Sequence, residues 1–426
     1  MDIHVVRPGD TLYELAYQYG VPMSRLIQDN QLPDPSQLVV GQTLVIQYPR
    51  STYTVRSGDT LFSIARNAGV PLRQLLRNNP GLEGGDRIYP GQELVLTYQQ
   101  EKQGVLSVNG YAYPNIAPAL LQRTLPFLSS LAPFTYRPTV RGDLIPLSDN
   151  AMVAAAQVMG VRPLLHLANL TEADSFSGEL AHALLSSPEA RTRLADHLME
   201  LLHRNGYRGI DVDLESIFPE DAQNYVRFLF LLRERLEPLG YPLLAALAPK
   251  TSACQQGELY QGHDYRGLGE AADGVLLMTY EWGYAFGPPM AVAPLDQVAQ
   301  VVRYAVTEIP PGKIQLGIPN YGYDWLLSAP QGSQARSLSN PEAVALAARH
   351  YAAIRFDPRA QAPWFRYVDG QGQEHEVWFE DARSIRSKLA LAAELELYGV
   401  GYWNLMRPFP QNWAVLNSLY EIRTGD

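Results

Sequence analysis

The stretch RGIDVDLES, residues 208–216, places three carboxylates at every second position of an otherwise apolar segment. Asp211, Asp213 and Glu215 alternate with three branched aliphatic residues. Because successive side chains of a β-strand point to opposite faces, the acids share one face and the aliphatic side chains share the other. An unpaired charge on a buried face is costly, so the pattern indicates a functional cluster.

The chemistry of such a cluster follows from crowding. Stacked carboxylates cannot all ionise cheaply, so one of them should hold a proton at neutral pH. A glutamic acid that stays protonated is the group that a glycosidic leaving oxygen needs, and Glu215 lies nearest the carboxyl end of the strand. The alternative, a salt-bridged strand end, requires cations opposite the acids.

Composition limits the classes of function. The chain has 426 residues, which predicts two to four domains, and is 46% hydrophobic and 18% charged, as in globular proteins. Its net charge of −10, with no basic stripe, argues against a nucleic-acid partner. Cys254 is the only cysteine, and the eight histidines lack ligand spacing, so we expect no disulfide, metal site or cofactor.

The termini and apolar runs indicate a soluble protein. The N-terminal MDIHVVRPGDTL lacks a basic flank followed by an apolar core, so we expect no Sec-type signal peptide. No apolar run approaches the ~20 residues that span a bilayer, so we expect neither a transmembrane segment nor a membrane partner.

The first hundred residues contain a repeat. Residues 4–30 align with 53–79 without a gap, and VGQTLVI and PGQELVL close the two copies. Each copy predicts a strand, a glycine turn, a helix capped by Asp10 or Asp59, a second helix and a short strand. These β-α-α-β modules, assigned to residues 1–49 and 51–99, are each too small to be an enzyme.

Both copies resemble the LysM family through GDTL, a downstream asparagine and the closing GQxLxI/L. The resemblance implies binding to N-acetylglucosamine moieties of peptidoglycan or chitin, through the loop after the first strand and the loop after the second helix. The implied contact residues are Asp10, Thr11, Leu12 and Asn30 in the first module and Asp59, Thr60, Leu61 and Asn79 in the second. The alternative is that each of these residues caps or packs a small fold.

From residue 104 onward, apolar runs alternate with helical segments. The eight runs predict a (β/α)₈ TIM barrel over 104–426, and the excess over the typical ~250 residues predicts an α+β insertion at 328–394, between strands seven and eight. The runs are GVLSVNGYAY, FTYRP, RPLLHLANL, GIDVDLES, YPLLAALAPK, GVLLMTYEW, KIQLGIPNYGYDW and GVGYWNL.

The acidic segment resembles the DGxDxDxE signature of glycoside hydrolase family 18, with Arg208 where the first aspartate of the signature stands. The resemblance implies that Glu215 is the general acid and then the base. It implies that Asp213 orients the 2-acetamido group of the substrate and that Asp211, two residues earlier, belongs to the same catalytic set. The acetamido oxygen is then the nucleophile, and configuration is retained, as an exception to the two-carboxylate rule.

Two further segments support the same resemblance. In MTYEW, residues 278–282, Tyr280 is expected to bond the acetamido oxygen, and Glu281 replaces the usual aspartate. In GYWNL, Trp403 is expected to form the aromatic floor under the scissile sugar, since an indole stacks on an apolar sugar face.

Other polar and aromatic residues lie near predicted strand ends. Asn109, Tyr111, Asn320 and Tyr321 are candidates to line sugar subsites, with packing roles as the alternative. His166 is interpreted as a core histidine.

Two LysM modules ahead of a family 18 barrel resemble the spore cortex-lytic N-acetylglucosaminidases. The resemblance implies hydrolysis of β-1,4 bonds of N-acetylglucosamine in cortex peptidoglycan during spore germination. It also implies synthesis in the mother cell and deposition at the coat or cortex surface. A chitinase and a non-catalytic glycan-binding coat protein are the alternatives.

Overall fold

A ring of parallel strands forms the centre of the chain in the computed structural model, which describes residues 1–82 and 85–424. The predicted TIM barrel is confirmed. The barrel strands, numbered β1 to β8 along the chain, are Gly104–Ala112, Ser130–Pro133, the pair of segments Arg162–Pro163 and Leu165–Ala168, Ile210–Asp213, Leu243–Leu247, Gly274–Leu277, Ile314–Pro319 and Gly399–Trp403.

The third strand closes the ring. Its first segment pairs with β2 and its second segment pairs with β4, on either side of Leu164. The remaining neighbours pair in parallel, with β8 lying between β7 and β1. A last strand, Tyr420–Ile422, pairs with the start of β1. All carboxyl ends of the barrel strands therefore meet at one mouth.

Helices cover the outside of the barrel. The helix Pro188–Asn205 begins where the Ser187 hydroxyl accepts a backbone N–H and ends at Gly206, which has a φ of 77°. Leu194 and Leu198, one turn apart, are buried against the strands. The others are Pro118–Thr124, Asn150–Val158, Gly178–Ser186, Ala222–Leu236, Tyr265–Ala271, Leu295–Glu308, Ala382–Glu394 and Pro410–Leu419.

The predicted second strand, FTYRP at 134–138, is wrong. The second barrel strand is Ser130–Pro133, and the short strand Arg137–Pro138 pairs antiparallel with Leu144–Ile145 in the following loop. The hydroxyl of Ser130 donates to Asn109 at 2.9 Å. A serine whose hydrogen bond is made inside the barrel can be buried in a strand, which its polarity in the sequence does not suggest.

The insertion after β7 is a five-stranded antiparallel sheet with a helix, Asn340–Arg349, on one face. It begins at Gly322, before residue 328, because the run 313–325 contains two strands and not one. A Cβ at Gly322 would lie 2.3 Å from the carbonyl oxygen of Trp378, so this close pairing requires glycine. In spatial order its strands are Arg336–Leu338, Gly322–Leu326, Glu374–Trp378, Ala362–Val368 and Arg355–Asp357.

Each N-terminal module has the expected strand-helix-helix-strand order, with its two strands antiparallel and its own apolar cluster. The first module contains Asp2–Val5, Leu12–Tyr19, Met23–Asn30 and Thr43–Ile46. The second contains Pro49–Thr54, Leu61–Ala68, Leu72–Arg77 and Glu93–Tyr98.

The predicted caps of the first helices are wrong by one residue. Thr11 caps the helix of the first module by accepting the backbone N–H of Glu14 at 3.2 Å, and Thr60 does the same in the second. Asp10 and Asp59 lie one residue earlier. Each aspartate accepts a backbone N–H three residues before it, at 2.7 Å, and so closes the glycine turn that precedes the helix.

The modules are packed against the barrel. The side chain of Gln47 donates to the Ser418 hydroxyl at 2.7 Å, in the barrel helix Pro410–Leu419. The Arg77 guanidinium of the second module donates to the Pro126 carbonyl at 2.9 Å. No helix among residues 1–82 and 85–424 is long and apolar enough to cross a bilayer.

One buried ion pair ties the insertion to the barrel. Lys388 in the helix Ala382–Glu394 lies 2.8 Å from Glu380 at the end of the insertion, and both side chains are at most 1% exposed. We expect Lys388→Met to lower the free energy of unfolding by about 3–5 kcal/mol, because it leaves a buried carboxylate without its cation. Urea denaturation at pH 7 measures this loss.

The double variant Lys388→Met, Glu380→Leu is the control. It removes both charges together and should recover most of the loss, because two apolar side chains of similar size can replace a buried pair. A single variant as stable as the wild type would contradict the importance of the pair.

Candidate active site

The three acids of the signature lie at the mouth of the barrel. Asp211 and Asp213 are in β4 and are 0% and 6% exposed, whereas Glu215 lies two residues beyond the strand and is partly exposed. The Asn169 side chain holds the backbone of Glu215, by accepting its N–H at 2.9 Å and donating to its carbonyl at 2.8 Å. Glu215, the most accessible of the three acids, is therefore held in a loop by side-chain hydrogen bonds and not by the backbone hydrogen bonds of the strand.

Neutral groups surround the two inner acids. The Tyr111 hydroxyl donates to Asp211 at 2.7 Å. His166 Nε2 is 3.8 Å from Asp213 Oδ2, too far for a hydrogen bond, while its Nδ1 lies 2.6 Å from the Thr135 hydroxyl. Burial lowers the pKa of His166 to about 3, so this ring is uncharged at neutral pH.

The cluster is therefore short of positive charge. Within the described residues, no lysine or arginine forms an ion pair with Asp211, Asp213 or Glu215. Burial raises the pKa of Asp211 to about 6 and that of Glu215 to about 7. Burial, followed by the charges of Glu215 and Asp211, raises the pKa of Asp213 well above its usual range. The cluster holds protons at neutral pH, and the salt-bridged alternative is excluded.

A tyrosine and a fourth acid follow β6. Tyr280 is partly exposed, and burial, with the charges of Asp213 and Glu215, raises its pKa well above 10, so that its hydroxyl remains a donor. The carboxylate of Glu281 accepts hydrogen bonds from the hydroxyls of Tyr321 and Tyr323, the latter at 3.1 Å. Glu281 therefore connects the barrel mouth to the insertion.

Trp403 is the last residue of β8 and is partly exposed at the same mouth. Its ring centre is 4.7 Å from that of Phe134 and 6.0 Å from that of Tyr111, in edge-on or tilted arrangements. The neighbouring rings thus hold the indole in place while part of it remains exposed. An exposed indole is a suitable surface on which a sugar can stack.

Four residues expected to line subsites have supporting roles. Asn109, Tyr111, Asn320 and Tyr321 are all at most 8% exposed. Asn109 accepts the Ser130 hydroxyl, and the Asn320 side chain donates to two backbone carbonyls of the loop after β8 at 2.9 and 2.8 Å. Sequence position at a strand end did not distinguish a side chain that lines the mouth from one that supports it.

Half of the implied LysM contact residues are structural. Leu12 and Leu61 are buried in the module cores. The Asn30 side chain bonds the backbone N–H of Val45 at 2.8 Å and its carbonyl at 2.9 Å, and Asn79 makes the equivalent pair of bonds in the second module. These asparagines tie the second helix to the closing strand, and both are at most 6% exposed, so little of either side chain is open to a sugar.

Two exposed aromatic residues of the modules lie outside the implied set of contact residues. Tyr13 and Phe62 occupy equivalent positions, 49 residues apart, and are 74% and 64% exposed, each beside an exposed cap threonine. A signal was available in the repeat: both copies place an aromatic residue directly after the buried core leucine, where a helix turns away from its core.

No group of three or more histidine, cysteine or acidic side chains within residues 1–82 and 85–424 could hold a metal ion.

Similarity to known proteins extends over nearly the whole chain. A model of the family described as Glycosyl hydrolases family 18 matches residues 172–407, and the LysM domain matches 4–47 and 53–97. The Bacillus subtilis protein named Cortical fragment-lytic enzyme is 42% identical to this chain, and the alignment covers 99% of both chains.

The solved structures similar to this chain include a spore cortex-lytic enzyme. The structure of the Bacillus megaterium spore cortex-lytic enzyme SleL has a TM-score of 0.84 and 36% identity, covering 99% of this chain and 98% of that one. A chitinase from Chromobacterium violaceum has a TM-score of 0.68 and 27% identity, covering 74% of this chain and 98% of that chitinase. Its similarity is thus to part of this chain alone.

The raised pKa of Glu215 predicts how stability depends on pH. Its pKa is about 7 in the folded chain and 4.5 ordinarily, so between these values the folded state binds more protons than the unfolded state. The stability of the wild type therefore falls as pH rises through this window. We expect Glu215→Gln, which cannot ionise, to be more stable than the wild type at pH 8 and to differ less at pH 4.5.

Denaturant midpoints and slopes at both pH values test this. Glu220→Gln is the matched control, since Glu220 is an exposed glutamate near the same loop and lies outside the acidic cluster. If both substitutions changed stability equally at each pH, Glu215 would not be the source of the pH dependence.

Proposed function

The chain belongs to glycosyl hydrolase family 18, and from this premise we propose that it hydrolyses β-1,4 bonds of N-acetylglucosamine in spore cortex peptidoglycan. The observation that carries the proposal is 42% identity over 99% of both chains with the protein named Cortical fragment-lytic enzyme. Both LysM modules fall within the aligned length.

In the proposed mechanism, Glu215 donates its proton to the glycosidic oxygen as the bond to the anomeric carbon breaks. The substrate's own acetamido oxygen forms a bond to that carbon. Water then attacks the anomeric carbon and displaces the acetamido oxygen, while the Glu215 carboxylate accepts a proton from that water. The two successive inversions retain the configuration. The partly exposed side chain and the pKa of about 7 support both roles, because such a group exchanges a proton readily near neutral pH.

Asp213 is proposed to orient the acetamido N–H, and the Tyr280 hydroxyl is proposed to donate to the acetamido oxygen. Asp213 Oδ1 has no hydrogen-bond partner among the described residues, so it is available to an amide donor. Asp211 accepts a hydrogen bond from the Tyr111 hydroxyl and lies two residues before Asp213 in the strand. Alongside burial, its charge helps to raise the pKa of Asp213, which favours a proton shared between the two acids. Trp403 is proposed as the floor under the sugar.

The LysM modules are proposed to hold the glycan while the barrel cuts it. Thr11, Thr60, Tyr13 and Phe62 are exposed on the two copies and are the proposed contact groups. Since both modules are attached to one catalytic domain, binding by either raises the local concentration of glycan near the others. We also propose that the protein acts at the spore coat or cortex surface after synthesis in the mother cell.

A chitinase remains the alternative within enzymes, because chitin also offers a 2-acetamido group to act as nucleophile. Mass analysis of the products from purified cortex, vegetative wall and colloidal chitin distinguishes them. The proposal requires that cortex fragments be cut faster than chitin. The product masses also identify the sugar left at the new reducing end.

The role of Glu215 is tested by Glu215→Gln. Turnover of soluble cortex fragments should fall by about 10²–10⁴, because a glutamine cannot supply the proton. Binding to insoluble cortex should persist, since the modules and the aromatic floor are unchanged. A reducing-sugar assay and a sedimentation assay measure the two effects.

The matched substitution is again Glu220→Gln, which should leave turnover unchanged. Wild-type turnover by Glu215→Gln would exclude the assigned role. Loss of binding together with turnover would instead indicate a folding defect, which the denaturation midpoint would reveal.

The role of the modules is tested by Tyr13→Ala combined with Phe62→Ala. Retention on insoluble wall should fall about 10²-fold or more through lost multivalency, while hydrolysis of short soluble fragments stays unchanged. Tyr351→Ala is the control, since this tyrosine is 93% exposed but belongs to the insertion. Equal retention by the double variant and the control would contradict glycan binding by these two aromatic residues.

A further inference from the structure

One face of the insertion sheet carries a row of side chains that leads away from the active site. Ser337, Tyr323, Trp378, Trp364 and Arg355 are successive cross-strand partners in four antiparallel pairings. Directly paired residues of antiparallel strands point to the same face, so the five side chains form one line across the sheet. We call this line the Tyr-Trp-Arg row.

The row lies on the face opposite the insertion helix. Val377 and Phe365, the sequence neighbours of Trp378 and Trp364, are fully buried and belong to the apolar cluster that contains Leu346 of that helix. Because adjacent residues of a strand alternate in direction, the two tryptophans point away from the helix. Both are partly exposed.

The inner end of the row joins the barrel mouth. The Tyr323 hydroxyl donates to Glu281 at 3.1 Å. Trp378, Tyr280 and Trp403 all pack against the aromatic cluster to which Tyr323 belongs. The proposed sugar floor and the row therefore share one aromatic support, and a glycan chain leaving the mouth on this side meets the row.

The outer end of the row combines indole faces with guanidinium groups. The rings of Trp364 and Trp378 are stacked, 5.6 Å apart and 15° from parallel. The guanidinium carbons of Arg355 and Arg366 lie 5.3 and 6.0 Å from the centre of the Trp364 ring. These are cation–π distances, so the indole restricts both arginines.

The two arginines differ in charge compensation. Arg366 is paired with Glu376 at 2.7 Å, and that carboxylate also accepts the Trp378 indole N–H at 2.7 Å. Arg355 is exposed, and no carboxylate among residues 1–82 and 85–424 lies within ion-pair distance of it. The outer end of the row therefore carries a guanidinium that forms no ion pair with the described residues, on a chain whose net charge is −10.

We propose that the Tyr-Trp-Arg row is a specificity surface that recognises a carboxylate carried by the glycan strand. Apolar parts of the strand pack on Trp364 and Trp378, and the carboxylate pairs with the Arg355 guanidinium. Peptide stems of peptidoglycan carry such carboxylates, whereas a plain polymer of N-acetylglucosamine carries none. The inference deepens the proposed function and rests on it, since it names the feature by which one substrate class is preferred.

An arginine is suited to this role because its planar guanidinium can donate two parallel hydrogen bonds to a carboxylate. Its position over Trp364 reduces the freedom that would be lost on binding. The charge is exposed, so its contribution should be modest and sensitive to salt.

The test compares one glycan in two charge states. Soluble cortex fragments are used with their stem carboxylates free or amidated, at low ionic strength, with the full chain and its Arg355→Gln variant. We expect Arg355→Gln to lower kcat/KM on free fragments by about three- to tenfold. On amidated fragments the variant should match the wild type within about twofold, since no charge is left to recognise.

Arg349→Gln is the control. Arg349 is an exposed arginine on the helix behind the sheet, and its removal changes net charge equally without touching the row. It should leave both substrates unaffected. An equal fall on free and amidated fragments with Arg355→Gln, or no fall on either, overturns the proposal.

A binding measurement separates this proposal from the proposed function. Calorimetric titration of both fragment types into Glu215→Gln, with and without Arg355→Gln, reports recognition without turnover. Tighter binding of free fragments that disappears with Arg355→Gln supports the row even if wild-type turnover is absent. Identical binding of both fragment types overturns the row even if the wild type cleaves cortex.

Discussion

Three carboxyl groups confined to one barrel mouth without a compensating cation are the constraint on which the site depends. Asp211 and Asp213 are buried, and the nearest basic ring, His166, is itself neutral through burial. The low cost of this arrangement comes from protons retained on the acids and from neutral donors such as Tyr111. The same shortage of positive charge leaves Glu215 able to give up and recover a proton near neutral pH.

The surrounding layers position that mouth through hydrogen bonds from outside the acidic strand. Asn169, after β3, fixes the backbone of Glu215. Tyr321, just before the insertion, and Tyr323, in its first strand, hold Glu281. Replacement of the usual aspartate by Glu281 thus fits a carboxylate that reaches outward to the insertion. The site is assembled from several strand ends, as is common in barrel enzymes.

The LysM modules and the insertion both pack against the barrel that carries the candidate active site. The modules bond to the barrel helix Pro410–Leu419 and to the Pro126 carbonyl, so their exposed aromatic residues are presented from a supported position. In the insertion, Trp378 packs against the same aromatic cluster as Trp403, and Trp364 stacks on Trp378.

The sequence by itself determined the repeat, the alternation that aligns the acids and seven of the eight strand regions, because these depend on periods of two residues and of whole units. Only the tertiary structure decided which polar side chains face solvent. Ser130 is buried in β2, and Asn30 and Asn79 hold backbone atoms of their own modules. A polar residue has the same letter whether its partner is a sugar or a distant strand, and only the fold brings that partner near.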